Sequence, residues 1–212
     1  MNIHIANKHY SKINGLTAAA GDTLVKIVVG KGKDSKAYNL SKRNLTSVSD
    51  YFKAAFMGDW IEGETQTLNL EEEDSVIFDL IVQWIYCCTV FFDVKGPKPV
   101  LDIKSETISI YLKFLKLAKY LQINGPVETS IVPMRNILFY NEAVLQPNHI
   151  RAAASLPGNR QVLRLFAQNC SDSYLKSRAW KPKRKPFRFE KELEEVDGFA
   201  LELLRSLPLG QM

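Results

Sequence analysis

Residues 41–86 read SKRNLTSVSDYFKAAFMGDWIEGETQTLNLEEEDSVIFDLIVQWIY, and the rest of the chain takes its meaning from them. Val48, Tyr51, Phe52, Ala55 and Phe56 stand at the i, i+3, i+4, i+7, i+8 spacing of one helix face. Gly58 ends that pattern, since glycine accepts the left-handed backbone that helix termini often need. A turn carrying Trp60 follows, then a short strand pattern at Thr67–Leu70. Asp74 is the expected N-cap of a second helix. Glu71, Glu72 and Glu73 lie just upstream, where a helix N-terminus favours negative charge. The helix runs through Val76, Ile77, Phe78, Leu80, Ile81, Val82, Trp84 and Ile85, interrupted only by Asp79 and Gln83. A helix apolar nearly all round must be covered on most sides. This stretch predicts the centre of a core.

Upstream, the β-branched run 25–29 bounded by Gly30 reads as a buried strand, and residues 30–34 as a turn into a second strand over 36–40. Gly32-Lys33 invites a phosphate-loop reading, but Asp34 stands where Ser or Thr is needed and Ile27 where the first glycine belongs. A carboxylate there repels phosphate, so the segment is a hairpin turn. Downstream, residues 87–92 form an apolar, β-leaning run, and Lys95-Gly96-Pro97-Lys98-Pro99 makes a loop. Ser105 is the expected cap of a helix to Leu121, with Lys113, Lys116 and Ser109 on its exposed edge. Asn124-Gly125-Pro126 ends it.

Several of these pieces come in a known order. After the glycine-ended strand VKIVVG comes Tyr38-x-Leu40-Ser41-Lys42-x-x-Leu45-x-x-x-Ser49-x-Tyr51-Phe52, then Gly58-x-Trp60-x-Glu62-Gly63. Leu68-x-Leu70, Asp74-x-x-x-Phe78, Trp84-Ile85-Tyr86 and Ala118-x-Tyr120-Leu121-Gln122-Ile123 complete the series. It resembles a BTB/POZ domain, in flavour the BTB proteins of filamentous fungi, over about one hundred of the 212 residues. Two positions depart from the pattern. Ser41 replaces the usual His before the lysine, and Leu24 replaces the acid that often opens the first strand, although Asp22 lies two residues earlier. The resemblance implies an α+β BTB/POZ fold: a small sheet flanked by a cluster of helices, with a helical C-terminal extension. The expected divisions are an N-terminal segment 1–22, a BTB core 23–124, a helical extension 125–175, and a basic segment with a terminal amphipathic helix over 176–212.

Charge is unevenly placed. The chain carries a net +5, yet residues 176–191 alone hold eight Lys or Arg against one Glu, a net +7, leaving −2 for everything else. Residues 54–94 contain nine Asp or Glu and no Lys or Arg. An acidic side and a basic tail follow. Trp180, Phe187 and Phe189, interleaved with the cations, are candidates for stacking on bases. Lys181, Lys183, Arg184 and Lys185 between prolines are the candidate nuclear-import or anion-binding set. Leu193, Val196, Phe199, Ala200, Leu203, Leu204 and Leu207 mark a last amphipathic piece able to dock back. Pro147 suits the first turn of a helix.

These patterns sort the function classes. No nucleophile elbow, HExxH helix or Gly-rich dinucleotide turn occurs, so catalysis and a cofactor are not expected. Three cysteines are too few for a disulfide framework, and Cys87, Cys88 and Cys170 have no His partners at zinc spacing; core or near-core thiols are expected. No apolar run is long enough to span a membrane, and residues 1–15 lack the apolar centre of a secretory signal. An intracellular site, nuclear or cytoplasmic, is the expectation. The BTB resemblance implies homo- or heterodimerisation, with Ile13, Leu16, Val25 and Ile27 the candidate interface; a frayed terminus is the plainer reading of residues 1–22. In some members it also implies recruitment of cullin-type ubiquitin ligases, but no hydrophobic-x-Glu element is recognisable between Tyr86 and Ser105. A nucleic-acid-associated role for 176–191 is the remaining alternative.

Overall fold

The computed structural model describes residues 3–4, 22–90, 93–94, 99–123, 130–139, 142–156, 160–179 and 186–207. In chain order the elements are β1 (Ile3–His4), β2 (Leu24–Val29), β3 (Lys36–Ser41), α1 (Lys42–Val48), α2 (Asp50–Met57), α3 (Ile61–Thr65) and β4 (Thr67–Leu70). Then come α4 (Ser75–Cys87), β5 (Asp93–Val94), α5 (Val100–Tyr120), α6 (Ile131–Phe139), α7 (Pro147–Ala154), α8 (Arg160–Arg178), α9 (Glu190–Glu195) and α10 (Phe199–Ser206). The chain forms two compact units. The first is Met1–Pro97 with Lys113–Val127; the second is Lys98–Leu112 with Glu128–Met212. The helix α5 therefore belongs in part to each. Residues 98–112, inside the expected 23–124 core, group with the second unit by their contacts.

In the first unit β2 is the central strand, antiparallel to β3 and parallel to β4. Its period of two sets the burial. Val25 pairs with Leu40, Ile27 with Tyr38 and with Leu68, and Val29 with Leu70, and all of these side chains are buried. Against this small mixed sheet lies α4, capped as expected by Asp74, whose carboxylate accepts the Val76 N–H at 2.8 Å. Phe78 and Trp84 are both buried. Asp79 is buried too, and it is paired: Lys36 Nζ donates to both its oxygens at 2.7 and 2.8 Å, and the Tyr38 hydroxyl donates at 2.8 Å. A buried carboxylate needs such partners.

Three local expectations change. The single helix face over 48–56 is two helices, because Ser49 turns extended (φ −140°) and caps α2 by accepting the Phe52 N–H at 3.1 Å. Its hydroxyl also donates to the Leu121 carbonyl at 2.5 Å, and its backbone bridges Ile123. Gly58 ends α2 with φ −88°, not in the left-handed region. Helix α5 starts at Val100, with the Pro99 carbonyl accepting from Asp102 and Ile103, so Ser105 lies inside it.

In the second unit α10 packs along α8, burying Phe199 and Leu203. The terminal amphipathic piece docks as expected, but as two helices broken at Gly198, which adopts φ +77°. The buried Glu202 accepts from Arg164 at 2.9 Å and from Arg205 at 3.0 Å. Arg164 first, then Arg205, holds its carboxyl below the usual range. Buried Glu192 pairs with Arg151 at 2.7 Å. Pro147 opens α7 in its first turn.

Candidate interaction surface

The end of α2 and the start of α3 meet in a tight corner that pushes apolar side chains outward. A Cβ on Gly58 would stand 2.6 Å from the Ala54 carbonyl oxygen, and one on Gly63 only 2.3 Å from the Gly58 oxygen. Both positions need glycine for close approach. The Trp60 carbonyl accepts the Gly63 and Glu64 N–H groups at 2.8 and 3.3 Å, fixing the first turn of α3. Met57, Trp60 and Ile61 are consequently 63%, 68% and 68% exposed, next to Asp59, Glu62 and Glu64. Beside them the rings of Tyr51 and Tyr120 lie 5.4 Å apart. Burial, the hydrogen bond with Tyr120, and the carboxylates Glu62 and Glu73 raise the Tyr51 hydroxyl well above its ordinary pKa, so it stays a neutral donor.

A groove of about 410 Å3 runs alongside, between the start of α4 and the C-terminal half of α5. Glu72, Glu73 and Asp74 form one wall and Lys113 and Lys116 the other, over Ile77, Leu117 and Tyr120. Glu72 and Glu71 pair with the exposed Lys31, which raises the Lys31 pKa.

The residues singled out by sequence fall in different places. Ile13, Leu16, Trp180, Lys181, Lys183, Arg184 and Lys185 lie outside the described residues. Val25 and Ile27 are 1% and 0% exposed in the core of their own unit, so they offer no free surface; the outward side of β2 is Leu24 and Lys26. Phe187 and Phe189, read as base-stacking candidates, are buried. Their rings stack edge to face at 5.7 Å, and Phe187 meets Tyr174 at 5.3 Å. Flanking cations are engaged as well. Arg178 pairs with Glu190 at 2.5 Å, Lys191 with Glu195 at 3.6 Å, and Arg188 donates to the Gln146 side chain at 3.1 Å. Cys170 is buried as expected, but Cys87 and Cys88 are exposed, because α4 ends at Cys88 with φ +51° and both side chains leave the core. Among the described residues no group of three His, Cys, Asp or Glu is placed to hold a metal ion. No helix among them is long and apolar enough to cross a membrane.

Ser109, expected at an exposed edge, is half-buried and lies 2.9 Å from His149 Nε2. The pair is not arranged as nucleophile and base. His149 Nδ1 accepts the Gln146 N–H at 3.1 Å, so the proton of the neutral ring sits on Nε2 and is donated to Ser109. Burial, then the charge of Arg188, pushes the imidazole pKa down to about 4. It is a structural clasp between α5 and α7.

Sequence reading places Trp60 and Glu62 in a turn and gives them no role; the structure sets Trp60 on an exposed corner beside Met57 and Ile61 in the sequence. A large aromatic between two glycines and among acids, just past the apolar face that ends at Phe56, was the available signal. Comparison with curated proteins gives no match. Comparison with protein families matches residues 23–132 to the BTB/POZ domain, which takes in the three-stranded sheet, α1 to α5 and the exposed corner. That stretch is more than half the chain and coincides with the ordered motifs from β2 onward, so this chain belongs to the BTB/POZ domain family.

Proposed function

We propose that this BTB/POZ chain, a member of a family of protein–protein interaction modules, is a non-enzymatic adaptor that associates with itself or with a related chain and holds a further protein on the corner around Trp60. The observation that carries the reading is that corner: three large apolar side chains within five residues, all exposed, with Asp59, Glu62 and Glu64 beside them in the sequence. Contiguous exposed apolar surface with a polar rim marks binding sites, and tryptophan is prominent among residues that dominate interface energy. Self-association rests on the family and on Ile13 and Leu16 in residues 1–20. Light scattering with size exclusion tests it. Full-length protein is expected to elute at twice the monomer mass, and deletion of residues 1–20 to halve it or leave an aggregating species. A monodisperse monomer in both cases ends that part of the proposal.

For the further partner, a cullin-type ubiquitin ligase scaffold is the candidate the family resemblance offers, and the exposed Trp60 is the place to test it. Titration of purified full-length protein with such a scaffold is expected to show binding that W60A/E62A weakens by roughly a hundredfold, the loss of one strong anchor. Equal affinity of the two proteins removes the cullin reading while leaving the oligomer unaffected.

A further inference from the structure

We infer that Cys87 and Cys88 form a vicinal dithiol site for a soft, thiophilic centre of low coordination number, a monovalent copper ion or a trivalent arsenical, at the C-terminus of α4. Both thiols are free and exposed, whereas Cys170 is buried. Cys87 is the last residue of α4 and Cys88 its C-cap, with φ +51° and ψ +26°. The N–H of Cys88 donates to the Trp84 carbonyl at 2.9 Å, so the backbone under the pair is fixed by the helix that carries the core. The site uses no residue of the Trp60 corner and is independent of the adaptor reading.

Distance and coordination number select among three fates for such a pair. The first is a disulfide between the two. The peptide joining them is trans, which sets their Cα atoms about 3.8 Å apart, below the roughly 4.4–6.8 Å usual for bridged cysteines. Closing that ring strains it or breaks the Cys88 cap. The second is zinc, which takes four ligands in structural sites and three in catalytic ones. Among the described residues no group of three His, Cys, Asp or Glu is placed to hold a metal ion, so the pair finds no third protein ligand. The third is a bridging soft atom. It inserts an atom and two long bonds to sulfur, which relieves the short Cα separation, and it needs only two thiolates from the protein. Thiolates select soft centres such as Cu(I); an arsenical brings its own third substituent. In that reaction each thiol gives up its proton, two As–S bonds form, the As=O bond breaks, and its oxygen leaves as water. Neither sulfur nor arsenic changes oxidation state.

The experiment is native intact-mass spectrometry on the full, reduced chain with phenylarsine oxide and, separately, with Cu(I) held by a competing chelator. The expected result is one equivalent of probe per chain, the arsenical adduct being heavier by the reagent less one water. Iodoacetamide is expected to alkylate two thiols in the free native chain, none in the loaded chain and all three in denaturant, which identifies the pair and shows that the protein is folded. C87S and C88S are each expected to weaken binding about a hundredfold or more, because the second attachment is intramolecular once the first is made. Uptake of the arsenical alone makes the bound centre three-coordinate, and uptake of copper alone makes it two-coordinate; either supports the site. A chain that takes up neither probe overturns the inference, as does binding that survives either single substitution. So does conversion of the natural chain by glutathione disulfide to the internal disulfide, seen as loss of two hydrogens, in place of a mixed disulfide on one thiol.

Discussion

At the scale of single residues, His149 is the side chain whose chemistry the fold constrains most. All its hydrogen-bonding capacity is committed: Nδ1 to the Gln146 N–H and Nε2–H to Ser109, whose hydroxyl lies 3.3 Å from the Ser105 carbonyl. A second proton has nowhere to go without displacing the Gln146 N–H at the start of α7. An unfolded imidazole takes its proton below about 6.5, whereas the folded one resists to about 4. The unfolded state therefore binds more protons in that window, and stability rises with pH across it, by about 3 kcal/mol in all. Urea unfolding at pH 7 and pH 4.5 checks this. The H149Q variant is expected to lose most of that dependence, and a variant as acid-sensitive as the natural chain would contradict the assignment. Glu202 acts in the same direction at lower pH. Its carboxyl is depressed by Arg164 and Arg205, so its contribution is present above the ordinary value of 4.5 and is lost as pH falls through the folded one.

Among the elements, α4 carries the core, and its burial is continuous from Ile77 to Ile85. Truncating Phe78 or Trp84 to Ala is expected to cost roughly 3–5 kcal/mol, measured as a shift in the urea midpoint with little change in slope. An unfolding free energy within about 1 kcal/mol of the natural chain would remove α4 from the centre. This helix was legible because nothing in it competes: cap, apolar run and length agree. The sheet was legible for the same reason, since alternation in β2 matches its pairing with β3 and β4 on one face. The break at Ser49 was not, because serine reads equally as a helix residue or a cap, and what decides is the Leu121 carbonyl, far away in sequence. Phe187 and Phe189 were misread because adjacent cations suggested a solvated strip; burial of alternate aromatics depends on Tyr174 from α8. The start of α5 was misplaced because Ser105 offered a cap where Pro99 already served.

For the whole molecule, the uneven charge separates a structural from an addressing role. Arg178, Arg188 and Lys191 are engaged by Glu190, Gln146 and Glu195, which leaves the Lys181–Lys185 set as the candidate import signal. K183A/R184A/K185A is expected to leave the thermal midpoint within about 2 °C, since the sequence 181–185 carries no apolar side chain of the kind that folding buries. A fluorescent fusion of the variant is expected to move from nucleus to cytoplasm. A folded variant that stays nuclear removes Lys181–Lys185 as a candidate import signal, and one that unfolds makes those residues structural. The sharing of α5 has a different kind of consequence. Residues 98–112 and 113–127 serve different units, yet α5 runs unbroken from Val100 to Tyr120 across Leu112 and Lys113. A gene fragment ending near codon 124 would encode the family signature but strand Ile108, Ile110 and Leu112, which are buried in the intact chain. Recombination that exchanges residues 23–124 as a cassette would meet the same obstacle.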